Sequence, residues 1–305
     1  MKQTVQVLMS TYNGEKYLAE QIDSILNQEG IEVKLLIRDD GSKDGTINIL
    51  NEYESKYDNI TVYSGENLGA WKSFFDLLEK ADKNIEYYAL ADQDDVWYSK
   101  KLSAACDMMN KTDVSECKLY MTTYDIVDKD LNIIEKREME YERKFTFPET
   151  IMGRCASGCT MVFNDRLREE IVKYKPEYTR MHDFWLLMSA ELLGACIYTD
   201  SNSNMMYRQH ESNVIGICYS KTEHIKRLLA SALHGNNQRQ REAIELYKAY
   251  KGRIKNEEDV KNLEKVVYYK DSLGKRLTLI FSKEFDAHSI VKNLLFKAAI
   301  LLGVF

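Results

Sequence analysis

Proline occurs only twice in 305 residues, and no long apolar run is free of charge. The scarcity of proline excludes a proline-rich, low-complexity chain, and a hydrophobic content of 44% suits a globular one. The second lack excludes a spanning helix, which needs about 20 predominantly apolar residues. No basic segment leads into an apolar stretch in the opening MKQTVQVLMSTYNG, so no secretory signal is expected and a cytoplasmic body is. The six cysteines (Cys106, Cys117, Cys155, Cys159, Cys196, Cys218) include no CxxC pair. Cys155 and Cys159 lack the second Cys or His pair that a zinc site requires, so free thiols of a reducing compartment are expected. Neither GxGxxG nor GxxxxGK[ST] is present, which argues against a dinucleotide site and an NTPase phosphate loop.

Charge is unevenly distributed. Residues 221–305 carry 17 Lys and Arg against 10 Asp and Glu, a balance of +7 within a chain of net −6. The acidic body is a poor partner for nucleic acid, whereas the basic tail suits an anionic membrane surface.

Short β-rich runs alternate with helical patterns through the first third of the chain. Val5–Ser10, Val33–Arg38, Ile60–Tyr63 and Tyr87–Ala91 read as strands. Between and after them come helical stripes: Leu18, Ile22, Ile25 and Leu26; then Ile47, Leu50 and Tyr53; then Ala70–Lys80; then Lys100–Met109. This alternation predicts an α/β fold, a doubly wound and mostly parallel sheet wrapped by helices. Further along, Leu119–Val127 and Asn132–Lys136 suggest a hairpin. Ser157–Phe163 and Ala195–Thr199 suggest strands, with a helix over His182–Leu193. From about Lys221 the chain reads as charged amphipathic helices. The predicted division is a catalytic domain over residues 1–220 and a helical extension over 221–305.

In an open parallel sheet, ligands bind at the carboxyl ends of the strands. Three polar clusters fall there: Ser10-Thr11-Tyr12-Asn13, Asp39-Asp40-Gly41-Ser42 and Asp92-Gln93-Asp94-Asp95. With no glycine-rich phosphate cradle, a divalent cation is the natural substitute for offsetting phosphate charge. Asp92 and Asp94 are two apart, so an extended backbone points both the same way. Hard oxygen ligands at that spacing suit Mn²⁺ or Mg²⁺, although an Asp-x-Asp alone is more often a solvated turn.

As an ordered set, VLMSTYNGEKYLAEQIDSILNQ, LLIRDDGSKDGT and ALADQDDVW resemble the family 2 glycosyltransferases of GT-A fold. ASGCTMVFN, MHDFW and YRQHESNVIG are similar to a branch of bacterial rhamnosyltransferases and related O-antigen and capsule enzymes. The resemblance spans roughly residues 4–216. It implies that Thr11, Tyr12, Asn13, Asn67, Gly69 and Gln93 border the nucleotide-sugar pocket. Asp39, with Asp40 nearby, would accept the base imide N–H. Asp92 would sit at the ribose and the metal, Asp94 would be the principal metal ligand and His210 a third ligand, with Asp95 close by. Asp183 would be the catalytic base, because inverting transfer needs one carboxylate to take the acceptor's proton. An ordinary Asp has a pKa near about 3.9 and is ionised at neutral pH. The competing reading of Asp183 is a helix N-cap; that of His210 is a structural histidine. Trp97, Phe184 and Trp185 suit sugar stacking or core packing equally.

The implied donor is a nucleotide-sugar, dTDP-L-rhamnose ahead of UDP-glucose or UDP-galactose. The implied acceptor is a lipid-linked or surface-polysaccharide glycan. The absence of QxxRW and of multiple spans separates the chain from processive synthases and favours single addition. Two other classes compete. A non-catalytic binding module has no need of Asp183, and a nucleotidyltransferase calls for a glycine-rich basic loop where only Gly14 and Lys16 stand. Finally, Ser289–Phe305 places Val291, Leu294, Leu295, Ala298, Leu301 and Leu302 on one helical face. Such a face suits an in-plane membrane helix or packing against protein.

Overall fold

The computed structural model describes residues 2–112, 116–137, 145–154, 156–210 and 237–305. The end of the YRQHESNVIG motif, the start of the C-terminal extension, Cys155 and Cys218 lie outside the described residues. The chain forms two compact units. The first comprises Met1–Arg143, Ala156–Lys173 and Ala195–Val214; the second comprises Lys144–Cys155, Tyr174–Gly194 and Ile215–Phe305. Residues 144–155 and 174–194, inside the span read from sequence as catalytic, therefore group with the C-terminal helices.

The first unit opens with β1 (Gln3–Thr11), α1 (Leu18–Leu26), β2 (Ile31–Asp39), α2 (Thr46–Lys56), β3 (Ile60–Ser64), α3 (Ala70–Lys80), β4 (Tyr87–Ala91), β5 (Val96–Trp97) and α4 (Lys101–Met109). It continues through β6 (Lys118–Val127), β7 (Ile133–Lys136), β8 (Met161–Asn164), α6 (Asp165–Val172) and β9 (Cys196–Arg208); α5 (Phe147–Ile151) and α7 (His182–Leu192) belong to the second unit. The sheet order is β3-β2-β1-β4-β8-β6-β9-β5, with β7 paired to β6 off that path. The β3-β2-β1-β4 portion is parallel, and every residue of β4 is buried, as a strand covered on both faces requires. Leu18, Ile22 and Ile25 of α1 turn inward onto this sheet as their spacing predicts. Thr11 lies opposite Asp39 and Met9 opposite Ala91, so the carboxyl ends of β1, β2 and β4 finish together.

Two strands differ from the sequence reading. Ser157–Phe163 is not one strand. The Ser157 carbonyl accepts from the Thr160 N–H (2.9 Å) and hydroxyl (2.7 Å), closing a tight turn over Gly158–Thr160 before β8 starts. β9 runs well past Thr199 to Arg208, paired parallel to β6. Its polar middle, Ser201-Asn202-Ser203-Asn204, hides the strand pattern. There the Asn204 amide donates to Tyr120 Oη (3.1 Å) and Thr122 Oγ1 (2.9 Å), replacing apolar burial with hydrogen bonds. The predicted hairpin holds: β6 and β7 are antiparallel, and Asp128 Oδ1 accepts from the N–H groups of Asp130 and Asn132 (both 2.9 Å).

The second unit is helical among its described residues. α7 is buried on nearly all sides, and the Tyr250 hydroxyl bonds Ser189 on it (2.8 Å). The helix Gln238–Tyr250 grips the segment before α7 with two carboxylates. Glu242, fully buried, accepts from Thr179 Oγ1 (2.6 Å) and from Arg180 N (3.1 Å) and Nε (2.5 Å). Glu245 accepts from Glu177 N (2.7 Å) and Tyr174 Oη (3.1 Å). Helices Glu257–Val267, Leu273–Ile280 and Ile290–Leu302 follow. Glu242→Ala would leave the buried Thr179 hydroxyl and the largely buried Arg180 charge without their acceptor, a change that costs about 3–5 kcal/mol. A urea unfolding curve should show a loss of that order; a loss below about 1 kcal/mol would place Glu242 among ordinary surface pairs.

Candidate functional site

The three polar clusters are welded together at the carboxyl ends of β1, β2 and β4. The Tyr12 N–H donates to Gln93 Oε1 (2.8 Å), and Gln93 Nε2 donates back to the Tyr12 carbonyl (3.0 Å). Asn13, at φ 49°, donates its N–H to Ser42 Oγ (2.8 Å) and accepts from Lys43 N (2.8 Å). Gly14 is packed so tightly that a Cβ would fall 2.3 Å from Gln93 Oε1. Tyr12, Asn13 and Asn67 are exposed, Gln93 and Gly69 half-buried, and Thr11, Asp39 and Asp40 buried.

The two adjacent carboxylates at the end of β2 do different work. Asp39 accepts from Thr11 Oγ1 (3.3 Å), Ser42 Oγ (2.5 Å), Gly41 N (3.1 Å) and Ser42 N (3.0 Å). These four donors match the roughly four lone-pair positions of a carboxylate. Asp40 pairs with Arg38 and accepts from the N–H groups of Leu68 (2.8 Å) and Gly69 (2.9 Å), fastening the Asn67-Leu68-Gly69 loop to β2. Gly69, at φ 78°, adopts a backbone that L side chains resist.

The acidic run after β4 divides into two groupings. Asp94 Oδ2 meets His210 Nε2 at 2.8 Å, and the His210 ring lies tilted against Tyr17 with centroids 4.9 Å apart. Asp92 instead groups with Asp95 and Cys159, their ligand atoms all within 4.8 Å of one another. Asp95 is fully buried, and desolvation, then the neighbouring Asp94 and Asp92 charges, push its carboxyl well above the usual range. Burial likewise pushes the Cys159 thiol well up. A neutral thiol is a poor ligand for a hard cation. Among the described residues the three-ligand group brought together is thus Asp92, Asp95 and Cys159, with Asp95 and Cys159 as its buried floor. Asp94 meets His210 instead, so the implied set of Asp92, Asp94 and His210 is not gathered as one group.

Arg208 fixes this floor. Only 2% exposed, it donates Nε to the Asp94 carbonyl (2.8 Å), its backbone N–H to Asp95 Oδ1 (3.2 Å) and Nη1 to the Lys129 carbonyl (2.7 Å). Nη2 pairs with Glu20, and the guanidinium lies 4.4 Å from the Tyr17 ring centroid. Lys101 is buried on the same side, bonded to the Cys159 carbonyl and 3.8 Å from the Trp97 ring centroid; burial draws its pKa down to about 8. Neither residue was singled out from sequence. The available signal was a cation beside a motif: Arg208 directly before Gln209-His210, as Arg38 stands directly before Asp39-Asp40.

Asp183 lies in the second unit, in the first turn of α7. The N-cap position belongs to Met181, and no side chain caps the helix, so Asp183 is not an N-cap. Its Oδ1 accepts from Phe184 N (2.7 Å). Burial pushes its carboxyl up to about 6, against the lowering effect of the Phe184 N–H and Arg180. The ordinary value assumed from sequence is thus corrected upward by desolvation. Trp97 and Trp185 are core residues, the latter between Tyr174 and Tyr250, whereas Phe184 is half-buried with Arg180 4.1 Å from its ring centroid.

Known proteins resemble this chain. The family model for glycosyl transferase family 2 matches residues 6–171. The dTDP-rhamnosyl transferase RfbG of Shigella flexneri is 29% identical over 233 residues, covering 72% of this chain and 78% of that protein. WfgD of Escherichia coli, named a UDP-Glc:α-D-GlcNAc-diphosphoundecaprenol β-1,3-glucosyltransferase, is 27% identical over 61% of this chain and 68% of its own. The crystal structure of S. aureus TarS residues 1–349 with UDP-GlcNAc superposes at a TM-score of 0.64 and 18% identity, over 99% of this chain and 89% of that one, and shares the GT-A fold.

The raised Asp183 carboxyl has a testable sign. A carboxyl whose folded pKa lies above its unfolded one contributes stability at low pH that is lost as pH rises through the folded value. Relative to Asp183→Asn, the wild type should therefore lose stability as pH rises from about 4 through about 6. Urea unfolding of both proteins across that window checks it, and parallel curves would contradict the burial effect.

Proposed function

The chain belongs to glycosyl transferase family 2, and on that footing we propose that it transfers a single L-rhamnose from dTDP-L-rhamnose, with inversion, to a hydroxyl of a lipid-linked or surface-polysaccharide acceptor at the inner face of the cell membrane. The family makes it a glycosyltransferase; the donor, metal and acceptor are the proposal. The observation that carries it is the Asp94–His210 contact at the carboxyl end of β4, held from behind by Arg208. The rhamnosyl donor draws support from the likeness to RfbG, and the lipid-linked acceptor from the likeness to WfgD.

In this reading Thr11, Tyr12, Asn13, Asn67, Gly69 and Gln93 border the nucleotide pocket, with Asp40 holding the Asn67–Gly69 loop in place. Asp39 reads the imide N–H shared by thymine and uracil. Because its acceptor positions are already occupied, the base must displace one donor, and the hydroxyls of Thr11 and Ser42 are the two that can rotate away. Asp92, Asp94 and His210 would hold Mn²⁺ or Mg²⁺. Such an ion, when bound, offsets the charge of the departing diphosphate. Asp183 takes the acceptor hydroxyl's proton, and a carboxyl near about 6 is a stronger base than an ordinary Asp while still ionised at neutral pH. A UDP-glucose or UDP-galactose donor is the second reading, favoured by the name of WfgD. A binding module without catalysis is the third; it has no need of a raised, buried carboxyl at Asp183.

Four measurements test this. Chelation should abolish transfer and added Mn²⁺ or Mg²⁺ should restore it, while Asp94→Ala should lose turnover and metal-dependent nucleotide binding together. Full activity in chelator would remove the ion from the reading. Asp183→Asn should lower transfer by about 10²–10⁴-fold with donor affinity nearly unchanged. In the wild type, kcat/KM should fall as pH drops below about 6, because protonated Asp183 is no base. In a competition assay, thymidine and uridine diphosphates should displace donor better than guanosine diphosphate, with dTDP-L-rhamnose turned over fastest. Preferential GDP binding would refute the Asp39 role.

A further inference from the structure

The last two helices are built inside out. On Ile290–Leu302 the inward side is short: Phe296, Ala299 and Ile300, anchored further by Phe305, whose N–H bonds the Tyr269 hydroxyl (3.1 Å). The apolar face expected from the sequence points outward instead. Leu294 is 63% and Leu302 64% exposed, with Ile290, Val291, Ala298 and Leu301 exposed on the same stripe. The neighbouring helix repeats the arrangement, since Leu273, Leu277 and Phe281 recur every fourth residue and Phe281 is 75% exposed. The two helices are locked together by Arg276, which donates to the Leu301 carbonyl (2.8 Å) and lies against Gly303. Eight of the twelve large apolar side chains exposed among the described residues fall within Leu273–Leu302. Scattered exposed leucines need no explanation, but a concentrated two-helix stripe does.

We propose that this two-helix face is a docking surface for an anionic lipid bilayer, on which it lies in the plane of the head groups. Two observations select that occupant. First, a helix of 13 residues is about 20 Å long, short of the roughly 30 Å hydrocarbon core, so it lies on the membrane and does not cross it. Among the described residues no helix is long and apolar enough to span. Second, the charges around the stripes are mainly of one sign. Residues 270–305 carry six Lys and Arg against three Asp and Glu, and Lys297 stands exposed within the outward stripe itself. A two-fold contact with a second copy would set like charges against each other, whereas anionic head groups complement them. The surface deepens the proposed lipid-linked acceptor and rests on that reading only for its purpose, not for its existence.

The test uses the full chain and flotation with vesicles of phosphatidylcholine, with and without phosphatidylglycerol. The wild type should float with the anionic vesicles, less with the neutral ones, and less again in high salt. Phe281→Glu with Leu294→Glu removes apolar contact and adds repulsion, so anionic-vesicle binding should fall about tenfold or more. Its melting temperature should not change, because both side chains are exposed. Lys292→Glu with Lys297→Glu should weaken binding to anionic vesicles alone. Wild-type protein that ignores anionic vesicles, or a Phe281→Glu, Leu294→Glu variant that binds as wild type does, overturns the proposal. So does a vesicle-free wild-type dimer that this variant converts to monomer. Transfer to a water-soluble acceptor is followed in parallel. Lost flotation with intact transfer supports the docking role, and flotation without transfer supports it too while counting against the acceptor reading.

Discussion

One buried guanidinium holds the acidic end of the sheet in order. Arg208 ends β9, and its donors reach the Asp94 carbonyl, the Asp95 carboxylate, the Lys129 carbonyl and Glu20 of α1. These groups come from three separate stretches of chain. Removing a charge of this size from water is costly unless every donor finds an acceptor. That requirement lets one residue fix the backbone of an acidic turn whose carboxylates otherwise repel. Asp95 lies buried below and the Asp94 side chain reaches His210 above. Arg38 does the corresponding work at the end of β2, where Asp40 and the Glu66 carbonyl bind it and Asp40 in turn holds the loop to Gly69.

The second unit uses carboxylates for the same purpose. Glu242 and Glu245, one helical turn apart, collect donors from residues 174–180, directly before α7. Helix Gln238–Tyr250 thus serves as the mount for the segment that leads into α7 and Asp183, within the second unit. The same unit tunes that carboxyl: burial raises it, while Arg180, neutralised in part by Glu242, pulls it only partly back.

Much of the first unit was legible in its residues. The alternation of apolar runs with helical stripes marked β1 to β4 and α1 to α4, because a strand covered on both faces must be apolar throughout. The polar residues ending those strands marked the site, since parallel strands deliver their carboxyl ends to one edge. The polar half of β9 was not legible. Its burial is satisfied by hydrogen bonds from Asn204, and alternation of hydrophobicity carries no trace of such bonds. β5 was missed because two residues have no period.

The sequence by itself determined the family, the parallel core and the identity of the strand-end clusters, because all three follow from local periodicity and the order of short motifs. Tertiary structure alone decided the rest. It sent Asp94 to His210 and Asp92 toward Asp95 and Cys159, though the spacing treats the acidic residues as equivalent. It made Asp39 a turn anchor with four donors, and it raised Asp183 by burying it. It also turned the apolar side of the last helix outward. Each outcome depends on which distant group comes within a few ångströms and on how much water remains. Hydrogen bonds and desolvation act through space, and the order of residues along the chain does not record that neighbourhood.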